Sequence, residues 1–536
     1  MGEIDQRPIE SGRGRALHSP RPARSRSWML VAVGSSLMVG LLTTAPPAEA
    51  QQQSRVVELT LETMVDLALS NSFRVRQLNL SIDRTRYRLQ AERARLRSRI
   101  DLNVSAPDFR AISESQYNSV LQRNEIVHEN SRRFEAELSI RQPVILFGYP
   151  TNGYLSLNNR MYRYLQLEED GDRDLRYYNR YFVRYTQPLF QPNGLKNDLE
   201  EAELDLEDVQ LNFYDDVVDI VDDLSDDYFE LFEAAYQEVI NQAHVDNLAE
   251  GVAIAQQLAQ ADATRSVELQ QMQVELANTE EQVQRSGSQF RLQAASLRST
   301  LNLAQTDSIT LLPVITVQPI DIDVAEATRY ALELTPRMRQ LNISYRENEI
   351  RLEDTKGRGG FRMDLAFSYG REMVDPLFSS IWEDPTNTYT IDVNAYLPIW
   401  DWGQRSARIA SSRIGLDQTQ LRIEQAESEI RSNVQSQVRN VEDFQDRTFA
   451  MEQNLQLASG LSQSTLDLYR DGSISALELL QSFQREADTA NNFLDAYLGW
   501  RRALLRIQQL TFFDFERGMP VLERFGVAAE MPDLGT

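Results

Sequence analysis

Cysteine is absent from the 536-residue chain. Disulfides, zinc–thiolate centres, thiol nucleophiles and a lipid-bearing N-terminal cysteine are therefore excluded. Histidine is scarce, with three copies, and His128 and His244 stand alone without a partner spacing that would hold a metal. Positive charge is in deficit: the formal net charge is −25, the opposite of what nucleic-acid phosphates demand. Long apolar runs are also missing. The one present, Trp28 to Leu42, follows Arg7, Arg13, Arg15, Arg21, Arg24 and Arg26 and ends at Pro46-Pro47-Ala48-Glu49-Ala50. Basic, apolar, then small-x-small is the order of a secretory signal peptide, and the run is short for the roughly 20 residues a membrane helix needs. Residues 1–50 are expected to be removed, with the mature chain starting near Gln51. No other run could form a membrane helix, so any membrane passage has to be made as a barrel.

What is present is a duplication. "RVRQLNLSIDRTRYRL", from Arg74 to Leu89, returns as "RMRQLNISYRENEIRL", from Arg337 to Leu352. At one offset Arg76 matches Arg339, Gln77 matches Gln340, Leu78 matches Leu341 and Asn79 matches Asn342, with apolar residues at helical spacing in both copies. Each copy runs on into strands. In the second, Phe361, Met363, Leu365, Phe367 and Tyr369 alternate with polar or small residues, and so do Tyr389, Ile391, Val393, Ala395 and Leu397. A two-residue period with one apolar face, over about 9–11 residues, suits a transmembrane strand. Trp382, Tyr389, Trp400 and Trp402 lie near the strand ends, where an aromatic girdle is expected. One strand pair is too little for a soluble sandwich. The first copy shows Ile100, Leu102, Val104 and Ala106, then Tyr181, Val183 and Tyr185 up to Pro188. Between them, Phe134 to Ile140 and Leu155 to Leu167 form an additional hairpin that either joins the barrel or makes an outside loop.

Proline is then missing over two long stretches. Leu195 to about Asp262 has none and a single glycine; Gln404 to about Asp471 has none and two glycines. Each reads as one helix of roughly 100 Å at 1.5 Å per residue, turning back at Ser266 and Ser475. The expected fold is mainly α with a transmembrane β-barrel, built from two helix–strand–strand–helix repeats. Residues 51–318 form the first, with strands over about 100–190 and a helical hairpin over 195–305. Residues 319–536 form the second, with strands at 361–398, a hairpin at 404–510 and a tail at 511–536.

This arrangement resembles the TolC family of outer membrane efflux proteins over about residues 55–510. The residues that carry the resemblance are the paired "A-L" helix openings, Ala68-Leu69 and Ala331-Leu332, the strand-ending Pro188 and Pro398, and the turn Tyr469-x-x-Gly472-x-Ile474-Ser475-x-Leu477-Glu478-Leu479-Leu480. The resemblance implies a homotrimer with four strands per chain in a 12-stranded barrel, continued by a coiled-coil tunnel into the periplasm of a Gram-negative cell. It also implies a periplasmic adaptor, an inner-membrane RND, ABC or MFS-type pump, contact with outer membrane lipid, no cofactor and no catalysis. In this chain Asp262 stands where the first turn would have glycine, and Ile474 where relatives often carry an arginine.

Candidate gate residues at the helix tips are Asp262, Arg265, Glu268, Tyr469, Gly472 and Glu478. Glu268 and Glu478 either ring the pore mouth or serve as acids at helix N-termini. Tyr469 either bonds across to a neighbouring helix or only packs. At the other end, Pro188, Pro398 and Trp400 mark where strands end. Asp215, Asp216, Asp219, Asp222, Asp223, Asp226, Asp227, Glu230 and Glu233 form an acidic stripe that faces either the lumen or the solvent outside. "KGRGG" at 356–360 lacks the G-K-[ST] ending of a phosphate loop and precedes a strand, so it reads as a junction. Two other readings stay open: a periplasmic coiled-coil scaffold, which has no need of the strands, and a cell-envelope hydrolase using paired carboxylates.

Overall fold

The computed structural model describes residues 56–118, 123–167, 173–304 and 306–524. The expected signal peptide lies outside them, as does the end of the C-terminal tail. Strand β1 (Val56–Glu58) leads through α1 (Leu61–Asn71) and α2 (Phe73–Arg95) to β2 (Arg99–Asn118), β3 (Arg123–Leu146), β4 (Tyr149–Leu167) and β5 (Arg173–Leu189). Helix α3 (Gly194–Ala261) follows and turns into α4 (Ser266–Thr300). After β6 (Ser308–Thr310) come α5 (Val324–Glu333), α6 (Pro336–Arg358), β7 (Arg362–Asp375), β8 (Thr386–Tyr396), α7 (Gln404–Arg470) and α8 (Ala476–Thr511).

The helices start where their sequences supply caps. Thr60 opens α1 by a reciprocal exchange with Thr63, and the Asp323 carboxylate accepts from the Glu326 N–H at the matching start of α5. Ser72 caps α2, while α6 carries Pro336 in its first turn, where the missing N–H is no loss. Without proline, α3 runs for 68 residues and α7 for 67. Midway along them β1 pairs in parallel with β6 and ties the two halves together. Around this ladder Leu59, Met64, Leu297, Leu301, Ala327, Ala331 and Trp500 close into one core.

The large sheet has six strands in the order β2-β3-β4-β5-β7-β8. The four strands expected to enter the barrel, β2, β5, β7 and β8, are all in it, together with the hairpin whose place was left open. The 134–167 segment is an integral part of the sheet, because β3 pairs with β2 from Arg99↔Arg141 onward and β4 with β5 from Tyr154↔Thr186 onward. The same two-residue alternation runs through all six strands, and that periodicity lets the extra hairpin continue both faces.

Those faces are inverted relative to a water-soluble protein. The apolar one is open: Ile100, Leu102, Val104, Leu157, Tyr369 and Ile391 are all exposed. The polar one is covered: Ser139, Asn158 and Ser368 are buried. Ion pairs lock the polar face across strands, with Glu135 held by Arg160, Arg184 by Asp392 (3.2 Å) and Arg180 near Glu372 (3.7 Å), while Arg133 reaches Glu135 along β3 itself (2.8 Å). Gly370 lies on this face, and a Cβ there would stand 2.4 Å from the Phe182 Cβ and 2.5 Å from the Tyr181 carbonyl oxygen. Backbone cannot yield to that clash. Gly370→Ala is therefore expected to abolish the compact, heat-modifiable form on unheated gels. Gly415→Ala in α7, whose Cβ would meet nothing within 4 Å, should keep it and gain about 0.5–1 kcal/mol of helix stability.

Candidate gate and lumen

Two helical turns meet at one end of the long hairpins. Helix α3 stops at Ala261, and Asp262 spends its carboxylate on the Thr264 N–H (3.0 Å) and hydroxyl (2.7 Å). These bonds hold its pKa below the usual range. In the second turn the Gly472 N–H donates to the Tyr469 carbonyl (2.9 Å) and the Ser473 N–H to that of Leu468 (2.9 Å). Gly472 sits at φ +72°, in the left-handed region that glycine enters without a Cβ penalty. Ser475 then caps α8. The Glu478 carboxylate returns to the Ser475 N–H (2.9 Å) and hydroxyl (3.2 Å), a capping box. These contacts are those of an acid at a helix N-terminus, one of the two roles open to Glu478.

The two turns are cross-linked. Arg265 donates to the Gly472 carbonyl across 3.3 Å. The fully buried Tyr469 donates its hydroxyl to Glu268 at 3.4 Å. Burial first, and then the Glu268 charge, push the phenol pKa up to about 12, so the hydroxyl stays protonated and remains a donor. Arg470 reaches back to Glu250 (2.9 Å) and Asp467 (2.6 Å), a tie that sequence reading missed because no motif marks it. Beneath lie Leu248, Val252, Met272, Leu479 and Phe483, a second core separate from the one at mid-length. The six sequence-derived tip residues thus gather at one place, although Asp262 and Glu478 act within their own turns.

At the opposite end, Pro188 lies within β5 facing Asp364 of β7, and Pro398 follows β8. Trp400 and Trp402 are exposed and meet edge to face, ring centroids 5.5 Å apart. Tyr389 sits inside β8, opposite Tyr369, and not at its end. The arginines on the polar face of β3–β5 were not singled out in the sequence. Their signal was there, in Arg180 and Arg184, which alternate with the apolar series of Tyr181 and Val183.

The acidic stripe on α3 is divided among its neighbours. Arg74 of α2 binds Asp223 (2.8 Å) and approaches Asp216 (3.8 Å). From α8, Arg502 approaches Asp226 (3.7 Å) and Glu233 (3.8 Å), and Gln509 donates to Asp219 (3.0 Å). Asp215, Asp222 and Asp227 are shifted upward, chiefly by burial and then by neighbouring carboxylates. Among the described residues no group of His, Asp and Glu could hold a metal ion, and no helix is long and apolar enough to cross a membrane. His244 is buried, which lowers its pKa and keeps it neutral.

Residues 361–511 match the family model for outer membrane efflux proteins. This stretch is similar to an outer membrane efflux protein domain. The fold agrees over most of the chain. CusC, described as forming a transmembrane channel, is similar with a TM-score of 0.62 and 14% identity, over 86% of this chain and 93% of that one. The outer membrane protein VceC from Vibrio cholerae matches at 0.60 and 12%, over 84% and 95%. The Campylobacter jejuni outer membrane channel CmeC matches at 0.56 and 13%, over 86% of each. No curated protein sequence matches the chain. The efflux-protein match and this fold together place the protein in the outer membrane of a Gram-negative cell.

Asp215 gives the protein a pH-dependent stability. Its pKa rises from 3.8 to about 7, through burial first and then Asp219 and Asp216, with Arg337 opposing. A carboxyl whose folded pKa lies above its unfolded one binds its proton more tightly when folded. Its contribution is present at low pH and is lost as pH rises from about 4 to 7. Asp215→Asn is expected to raise the temperature of helix loss, followed by circular dichroism, at pH 8 and to leave it almost unchanged at pH 4.

Proposed function

We propose that the protein is the exit duct of a tripartite efflux or type I secretion system, passing small molecules or proteins passively across the outer membrane. Three copies close the barrel and the tunnel. A periplasmic adaptor meets the helix tips, and an inner-membrane pump supplies the energy. The observation that carries this reading is the inverted sheet joined directly to the long helical hairpins. An apolar, exposed sheet face needs lipid, and helices of roughly 100 Å reach far from it. A periplasmic scaffold would have no use for that sheet.

In this reading the tip is the gate. Arg265 on Gly472 and Tyr469 on Glu268 hold the α3–α4 and α7–α8 turns together, and opening means releasing them. Light scattering on the detergent-extracted protein, with detergent subtracted, should give the mass of three chains; a stable monomer would sink the proposal. In planar bilayers, Arg265→Ala combined with Tyr469→Phe should conduct several-fold more than the parent. Equal conductance would remove the gate from these two residues and leave the duct.

A further inference from the structure

We propose that the barrel has 18 strands, each copy contributing its whole six-strand sheet and pairing its β8 edge with the β2 edge of the next copy. The inference rests on the three-copy reading above and goes beyond it, because four strands per chain would give 12.

Consider first whether β3 and β4 could leave the wall. In this sheet β2 and β5 are never neighbours, since β3 and β4 stand between them throughout. A four-stranded contribution would require every bond of the β2–β3 and β4–β5 ladders to break and β2 to pair with β5 anew. The side chains also argue against it. One row of cross-strand partners runs Ile100, Ile140, Leu157, Val183, Tyr369, Tyr389. All six strands present an apolar or aromatic residue at that level on the same face. The next row continues it on four strands, Leu155, Tyr185, Phe367 and Ile391, and meets Gln142 in β3. An extramembrane hairpin would have no reason to match the lipid-facing rows of its neighbours.

The edges supply the rest. Within one chain β2 pairs only with β3 and β8 only with β7 among the described strands. Open backbone N–H and C=O groups cannot face hydrocarbon, so each edge must find another copy, and three copies close at 18. At a strand spacing of about 4.8 Å and a tilt near 40°, the backbone diameter grows from roughly 24 Å for 12 strands to roughly 36 Å for 18. The helical tube does not grow with it, since only β2, β5, β7 and β8 connect to long helices or their partners, four per chain. The barrel therefore overhangs the tube. The β3–β4 turn at Phe147-Gly148 forms the overhang. It rests on the start of α3 through the Asn152 amide, which donates to the Pro192 carbonyl (3.2 Å), and it leaves Phe147 99% exposed for the membrane interface.

Electron microscopy of the intact protein in lipid nanodiscs tests this. Three copies with 18 strands are expected. Three copies with 12 strands, β3 and β4 lying outside the wall, would overturn the inference and leave the duct standing. A particle without three copies would instead overturn the duct reading on which it rests. Since the chain has no cysteine, Leu138→Cys and Leu157→Cys can each carry a single spin label. Both should be reached by oxygen and shielded from a water-soluble nickel complex, as at an Ile391→Cys control. Nickel access at 138 and 157 with the control shielded would place the hairpin outside the membrane and refute the 18-strand wall.

Discussion

An unpaired backbone hydrogen-bonding group in hydrocarbon is costly enough to dictate architecture. Among the described residues no helix is long and apolar enough to cross a membrane; in the duct proposed above the lipid-facing part is the sheet, and such a sheet can have no free edge. The two-residue alternation follows, because one face meets lipid and the other meets water. The cross-strand pairs of Arg160 with Glu135, Arg180 with Glu372 and Arg184 with Asp392 follow as well. They sit on the covered face and fix a register that the apolar face alone would leave free to slide by two.

The helices obey a different constraint, that of packing thin rods along great length. Along α7 the buried residues include Thr419, Ala426, Val434, Val438, Val441 and Thr448, and along α4 Met272, Thr279, Ser286 and Ala294. Steps of seven, with threes, fours and eights between, trace a single narrow seam, the signature of a left-handed coiled coil. Small residues on the seam let the rods approach closely. Each rod is thus buried along one stripe only, and a single chain leaves other sides of α7 open to water. The two denser cores, at mid-length around Trp500 and at the tip around Phe483, act as clamps between which the seams need only be adequate.

How much of this was legible in the sequence depends on how local the determinant is. Strands alternate with period two and long helices avoid proline, and both signals survive in a single sequence. The membership of 134–167 in the sheet was not decidable that way, because alternation shows a strand but not its partner. At the tip, Gly472 could be read because a positive φ selects glycine. Arg265 could be picked out but not its partner, since a backbone carbonyl leaves no trace in residue type. Glu478 followed Ser475 at the three-residue spacing of a capping box, and that local pattern, more than any pore, accounts for the position of its carboxylate.

In the duct proposed above, the distribution of charge bears on what can be selected. Nine acids on α3 look like a strong field in the sequence. In the structure Arg74 and Arg502 each draw two of them, and Asp215 holds its proton up to about pH 7. On the sheet's polar face the arginines are matched by acids in turn. Opposite charges a few ångströms apart cancel beyond about a Debye length, ~8 Å at physiological salt, which is shorter than the radius of either barrel considered above. A solute on the axis would therefore meet little net potential from the paired groups. Discrimination by charge at the wall would be weak, and selection would fall to whatever delivers the solute to the tip and to the width the gate allows there.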